Sequence, residues 1–277
     1  MDKPEGITSH DVVQRVRRAL RIRSAGHTGT LDPFATGLLV VLLGRATRLA
    51  RFVEAQAKTY HAIARLGVRT DTDDRTGVVL EEQPLERLEE QDVRRALEGF
   101  LGPGRQRPPA YSAKHLDGER SYRRARRGEA VAPAEVGVTV HAVEWLRWVP
   151  PELEFRITAS AGTYIRALAR DLGAALGVGG HLSALRREAI GGLRVEDAVP
   201  LDAVGPGSVQ SPVSVLGHLP AVPLDAVGRG HAVHGRTVPE AAGEPGALAR
   251  LMAGEELVAV ARREPVGWQP VVVLGTP

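Results

Sequence analysis

The chain contains no cysteine, which removes disulfides, thiolate nucleophiles, iron–sulfur clusters and cysteine-ligated zinc from its chemistry. Lysine is nearly as scarce, standing only at positions 3, 58 and 114. The basic residues are therefore almost all arginine, whose planar fork suits phosphate. Asparagine is missing altogether; thermal adaptation and a GC-rich genome would each leave that mark. No apolar run approaches the roughly 18–20 residues that span a bilayer. The opening Met1-Asp2-Lys3-Pro4 lacks the charged and apolar regions of a signal peptide. A cytoplasmic protein without a membrane partner is expected.

What is present is an ordinary globular composition: 277 residues, 43% apolar and 25% charged, with a formal net charge of +3. That length allows one large domain, or a large one followed by a small one. The overall charge is a weak argument for an anionic partner, but its distribution is not even. Residues 104–129 collect Arg105, Arg107, Lys114, Arg120, Arg123, Arg124, Arg126 and Arg127 with Tyr111 and Tyr122 among them. Clustered cations interleaved with aromatics are the footprint of RNA binding, and a solvated loop has the same composition.

The stretch 26–39, Gly-His-Thr-Gly-Thr-Leu-Asp-Pro-Phe-Ala-Thr-Gly-Leu-Leu, puts three glycines, a histidine and an Asp-Pro step before an apolar run. Glycine permits positive φ or close backbone approach, and Pro33 pushes Asp32 out of the helical region. Asp32 is thus displayed on a constrained loop. It reads either as a helix N-cap with Pro33 at the first helical position or as a nucleophile or base.

Elsewhere the periodicities are clear. Thr8-x-x-Asp11 has capping-box spacing before a helix with Val12, Val13, Val16 and Leu20 on one face. Residues 37–44 read as one buried strand and 46–55 as a helix. In 58–67, Tyr60, Ala62, Ala64 and Leu66 share one face of a strand, and 85–100 forms an amphipathic helix. Leu153, Phe155, Ile157 and Ala159 alternate as a strand that runs into a helix burying Ile165, Leu168, Ala169 and Leu172. The acidic turn at Asp71, Asp73 and Asp74 misses the calcium-loop pattern, with Arg75 at a ligand place and Gly77 one residue late. Residues 194–212 read as a linker before a tail with strands at 256–262 and 268–274.

Gly-His-Thr-Gly-Thr-Leu-Asp-Pro-x-Ala-Thr-Gly-Leu-Leu resembles the catalytic-loop motif of the bacterial tRNA pseudouridine-55 synthases, the TruB family. Asp2-Lys3-Pro4-x-Gly6-x-x-Ser9 resembles that family's first motif and Lys58-x-Tyr60-x5-Leu66-Gly67 its second. Gly162-Thr-Tyr164-Ile-Arg166-x-Leu-Ala-x-Asp-Leu-Gly resembles its third, and His181-Leu-Ser-x-Leu185-Arg186-Arg187 the segment whose leucine packs under the target base. The resemblance implies Asp32 as nucleophile, with Arg166 and Asp74 positioning it in an aspartate–arginine network. It implies Tyr60 stacking on the uracil, Leu185 beneath it, and His27 holding the disrupted RNA open. Tyr164 and Lys58 join the substrate-binding set, and Lys3, Arg48 and Arg126 would meet phosphates. After Tyr-Ser-Ala the family places its lysine second, where this chain has His115; Lys114 sits one position early.

The implied fold is α+β, the pseudouridine synthase fold, a mixed and largely antiparallel sheet flanked by helices. Residues 1–212 would form the catalytic domain with 104–129 as an RNA-binding insertion. Residues 213–277 would form a small β-rich PUA-like module gripping the tRNA end, or an extension of the main domain. Isomerising the T-loop uridine 55 neither adds nor oxidises an atom, so no metal or redox cofactor is required, and tRNA is the expected partner, with no obligate protein partner. A neighbouring guanidinium would keep the carboxylate charged. The rival readings are a non-catalytic tRNA-binding protein on the same scaffold, and a glycosidase pairing Asp32 with Asp74.

Overall fold

Strict alternation organises the centre of the molecule. The computed structural model describes residues 1–86, 88–111, 115–116, 119–120, 127, 133–239 and 243–276. In chain order its strands begin with β1 (Asp2–Lys3), β2 (Ala25–Thr28), β3 (Thr36–Leu38), β4 (Val40–Leu43), β5 (Lys58–Leu66), β6 (Val68–Thr70), β7 (Val79–Glu82) and β8 (Gly102–Gln106). After the short pair β9 (His115–Leu116) and β10 (Glu119–Arg120) come β11 (Val136–Val149), β12 (Glu152–Ala159), β13 (Gly180–Ile190) and β14 (Leu193–Arg194). The last four are β15 (Ala221–Pro223), β16 (Leu248–Ala253), β17 (Glu256–Glu264) and β18 (Gly267–Val273). The α-helices are α1 (Ser9–Leu20), α2 (Ala50–Glu54), α3 (Glu90–Glu98), α4 (Ile165–Ala175) and α5 (Ala226–Val233).

The main sheet has the order β1-β3-β13-β5-β12-β11-β8, with β14 on the end of β13. It is antiparallel except where β13 runs parallel to β3. In β5, Tyr60, Ala62, Ala64 and Leu66 all face inward, because a period of two sends every other side chain to one face. Phe155 and Ile157 of β12 join them, as do Val93 and Leu97 of α3 and Leu168 and Leu172 of α4. Helix α1 starts at a complete capping box between Thr8 and Asp11.

Three expected elements are changed, and the helix at 46–55 is one of them, a 3₁₀ helix over Gly44–Leu49 followed by the short α2. The single strand at 37–44 is two strands in different sheets, since β4 pairs with β2 rather than continuing β3. The break falls at Leu39, whose amide turns to the Met1 carbonyl, while Gly37, at a φ of +101° that side chains rarely adopt, lets β3 approach so closely that a Cβ there would lie 2.3 Å from the Arg187 carbonyl. The helix at 85–100 is shortened to α3, because Glu89 is extended at its start and Leu88 closes a turn onto Leu85. The bland N-cap role for Asp32 also falls away: Pro33 opens no helix, and the Asp32 carbonyl closes a turn with the Ala35 amide.

Strands β15–β18 form a separate four-stranded sheet. It has its own core around Trp268, Leu251 and Val258. A second core joins it to the body, with Leu257, Val260 and Val272 against Leu42, Leu49, Phe52 and Ile190. Among the described residues no helix is long and apolar enough to cross a membrane.

Candidate active site

The loop between β2 and β3 is held by its apolar members. Leu31, Phe34 and Ala35 are buried in the main core, so the intervening Asp32 is turned outward, its side chain 34% exposed. Ser9 grips Leu31 from both sides, accepting from its amide at 2.9 Å and donating to its carbonyl at 3.1 Å. The Gly6 amide donates to the Pro33 carbonyl.

Arg166, the second residue of α4, is buried and faces this loop. Its Nε lies 2.9 Å from Asp32 Oδ2 and its Nη2 3.3 Å from Oδ1, an ion pair in which the Nε approach is poorly aligned as a hydrogen bond. Nη1 donates to the Thr72 carbonyl at 2.7 Å and lies 3.4 Å from Asp74 Oδ2, while Nη2 also donates to the Tyr111 carbonyl at 2.8 Å. Asp74 is fixed in turn, its Oδ1 accepting from the Thr72 hydroxyl and from the amide and hydroxyl of Thr76. Asp71, Asp73 and Asp74 each turn to a different partner, the Val78 amide, Arg170 and Arg166.

Burial is the largest influence on Asp32 and pushes its carboxyl above the ordinary aspartate value. Arg166 opposes that shift and Asp74 adds to it. The expected lowering by the guanidinium is therefore present but outweighed, because the partly exposed carboxyl is densely surrounded and a second carboxylate stands nearby. Tyr60 and Leu185 are each 9% exposed and share one core with Leu31 and Phe34 of the Asp32 loop. Leu185 lies opposite Ala62, one inward position along from Tyr60, so the two are diagonal neighbours on one face. His27, in β2, is half-buried; its Nδ1 has no protein partner, and burial, then Arg187, lowers its pKa, which leaves the ring neutral.

Other expected contacts are placed differently. Lys3 is 0% exposed and donates to the carbonyls of Pro4 and Pro33. Burial pulls its pKa down to about 8, so it props the Asp32 loop instead of meeting phosphate. Lys58 is buried too, donating to the carbonyls of Glu54 and Gln56 behind α2, and burial followed by Arg187 lowers it to about 8. Arg48 donates to the Val273 carbonyl at 2.7 Å, against the C-terminal sheet. Tyr164 precedes α4, its backbone amide and carbonyl both paired with the buried side chain of Gln106. His115 falls in the short strand β9, whereas Lys114 and Arg126 lie outside the described residues. Sequence reasoning missed Thr72, Thr76, Gln106 and the Tyr111 carbonyl. Thr72, Thr76 and Gln106 act through side chains that are ordinary in type, and Tyr111 through its carbonyl, so only the turn and the tertiary pairing mark them out.

The family model for the N-terminal domain of TruB family pseudouridylate synthases matches residues 17–165. That for the C-terminal domain of tRNA pseudouridylate synthase B matches residues 166–208. The chain belongs to the TruB family. It is 43% identical over 283 residues to tRNA pseudouridine synthase B of Thermobifida fusca (strain YX), covering 99% of this chain and 96% of the relative. The corresponding protein of Gloeobacter violaceus is 43% identical over 288 residues, covering 100% and 98%. Among solved structures, an H/ACA RNP bound to a substrate RNA containing 2′-deoxyuridine superposes with a TM-score of 0.75 at 25% identity, covering 98% of this chain and 83% of that one. This TruB-family chain is therefore an enzyme, a pseudouridine synthase acting on tRNA.

Proposed function

We propose that the enzyme converts uridine 55 in the tRNA T-loop to pseudouridine, with Asp32 as the nucleophile. The observation that carries this reading is the Asp32–Arg166 ion pair at 2.9 Å, on a loop whose Leu31 and Phe34 share one core with Tyr60 and Leu185. In the reaction the N1–C1′ bond breaks, the base turns, C5 bonds to C1′, and the proton lost from C5 is balanced by one gained at N1. The ionised carboxylate engages the nucleoside, Arg166 holds it in its charged form and in place, and Asp74 holds Arg166.

Reaching the uridine requires unstacking it, at a cost on the order of a few kcal/mol. Stacking on Tyr60 above the Leu185 floor returns roughly 1–3 kcal/mol. His27, as a neutral ring, and Tyr164 line the path of the extruded base. The basic insertion, with Lys114, His115 and Arg126, follows the RNA backbone, and the sheet within residues 213–277 grips the acceptor end. A solved structure of this fold, an H/ACA RNP bound to a substrate RNA containing 2′-deoxyuridine, supports an RNA nucleotide as the substrate.

The test uses tRNA labelled with tritium at uridine C5. Asp32→Asn is expected to abolish tritium release while leaving tRNA binding at the parental Kd. Turnover persisting in pure Asp32→Asn protein would remove the nucleophile assignment.

A further inference from the structure

Arg187 closes the Leu185-Arg186-Arg187 run and has so far no part in the reaction. Its side chain is 1% exposed, and among the described residues it pairs with no carboxylate. Its partners are carbonyls: Nε donates to Leu38 at 2.7 Å and Nη2 to Gly29 at 2.9 Å. Those two groups stand at either end of the loop that carries Asp32. The Arg187 backbone is also in register with Gly37 through the parallel β13–β3 pairing, and a Cβ at Gly37 would lie 2.3 Å from its carbonyl. The neighbouring Arg186 holds the opposite border of β3, its guanidinium paired with Asp2 of β1 at 2.8 and 3.1 Å.

Burying a guanidinium without a counter-charge is unfavourable unless its donors are satisfied. A methionine would fill similar space without that cost, but it cannot donate. A planar fork sends hydrogen bonds in two fixed directions at once, which is what two carbonyls arriving from separate strands require. The charge of Arg187 depresses His27 and Lys58, while burial, Arg166 and Asp74 dominate Asp32. Arg187 reaches the nucleophile loop through its two carbonyl bonds.

We propose that Arg187 is a positioning residue which ties the two ends of the catalytic loop together and so sets where the Asp32 carboxylate meets the flipped nucleotide. This rests on the reading of Asp32 given above. A misplacement of about 1 Å in a reacting group can cost roughly 100-fold in rate, so Arg187→Met is expected to lose about that factor in single-turnover pseudouridine formation. Its Kd for tRNA should stay at the parental value. Arg187→Lys, which keeps the charge and loses the fork, should fall in the same way. Guanidinium ion should raise the rate of Arg187→Ala, and methylammonium should not.

Full rate in folded Arg187→Met, full rate in Arg187→Lys, or parallel losses in rate and binding would each overturn the assignment. So would failure of both variants to fold, judged by circular dichroism, since the residue would then be needed by the whole sheet. Asp32→Asn run alongside separates the two readings. If it is inactive and Arg187→Met is not impaired, the clamp alone is wrong; if it turns over, the nucleophile reading is wrong.

Discussion

Two carboxylates, Asp32 and Asp74, share the guanidinium of Arg166, and they are not equivalent. Asp74 accepts three hydrogen bonds from Thr72 and Thr76, whereas among the described residues the Asp32 carboxylate has only the arginine, and its side chain is partly exposed. A poorly solvated, incompletely paired charge is what the proposed nucleophile requires, and burial raises the Asp32 value accordingly. Two outcomes follow from the direction of that shift. With Asp32 as the nucleophile proposed above, activity needs the ionised form, so the single-turnover rate should fall on the acid side with a midpoint above the ordinary aspartate value of about 3.9. The folded carboxyl also holds its proton more readily than the unfolded one, so its contribution to stability is present in acid and lost as pH rises through the folded value. Asp32→Asn should therefore melt at a higher temperature than the parent at neutral pH. Calorimetry should show that gap closing as pH falls below the ordinary aspartate value.

At the level of elements, the first turns of α4 are fastened to the segment where the basic insertion leaves the sheet. Gln106 pairs with both backbone groups of Tyr164, Arg170 donates to the Arg107 carbonyl and Arg166 to that of Tyr111. The arginine facing Asp32 is thus set partly by the stem of the insertion. Gln106→Leu should cost about 1–3 kcal/mol, since it strands a buried amide and carbonyl; urea unfolding measures the cost, and the pseudouridine rate should drop with it. Periodicity had located β5, β12, α1 and α4, because one face of each is committed to the core and a period of two or 3.6 writes that commitment into the chain. The loop and its partners were legible only as motifs, because Asp32, Asp74 and Arg166 converge from distant segments. The break between β3 and β4 was not legible, since it falls where Leu39 turns to the Met1 carbonyl and β4 pairs with β2 instead of with β13. Nor was the enclosure of Lys3 and Lys58: residue type records a charge, and tertiary packing decides whether water reaches it.

Across the whole molecule, the C-terminal sheet is attached by more than a connecting segment. Besides the shared apolar core, Arg45, Arg48 and Arg51 donate to the carbonyls of Leu274, Val273 and Val271. These bonds are exposed, so Arg48→Ala should lower stability by only about 0.5–1.5 kcal/mol. It should speed limited proteolysis of the C-terminal sheet and leave turnover of an isolated T-arm stem–loop intact. The position of β3, bordered by β1 from the beginning of the chain and by β13 from much later, has a consequence for biosynthesis. On the ribosome, a nascent polypeptide that has emerged only as far as α4 possesses both the acid and its guanidinium but lacks one wall of the slot that seats them. Loop closure over such a separation is entropically slow, so competence to modify RNA should arrive late and in a single step, once residue 187 has cleared the exit tunnel.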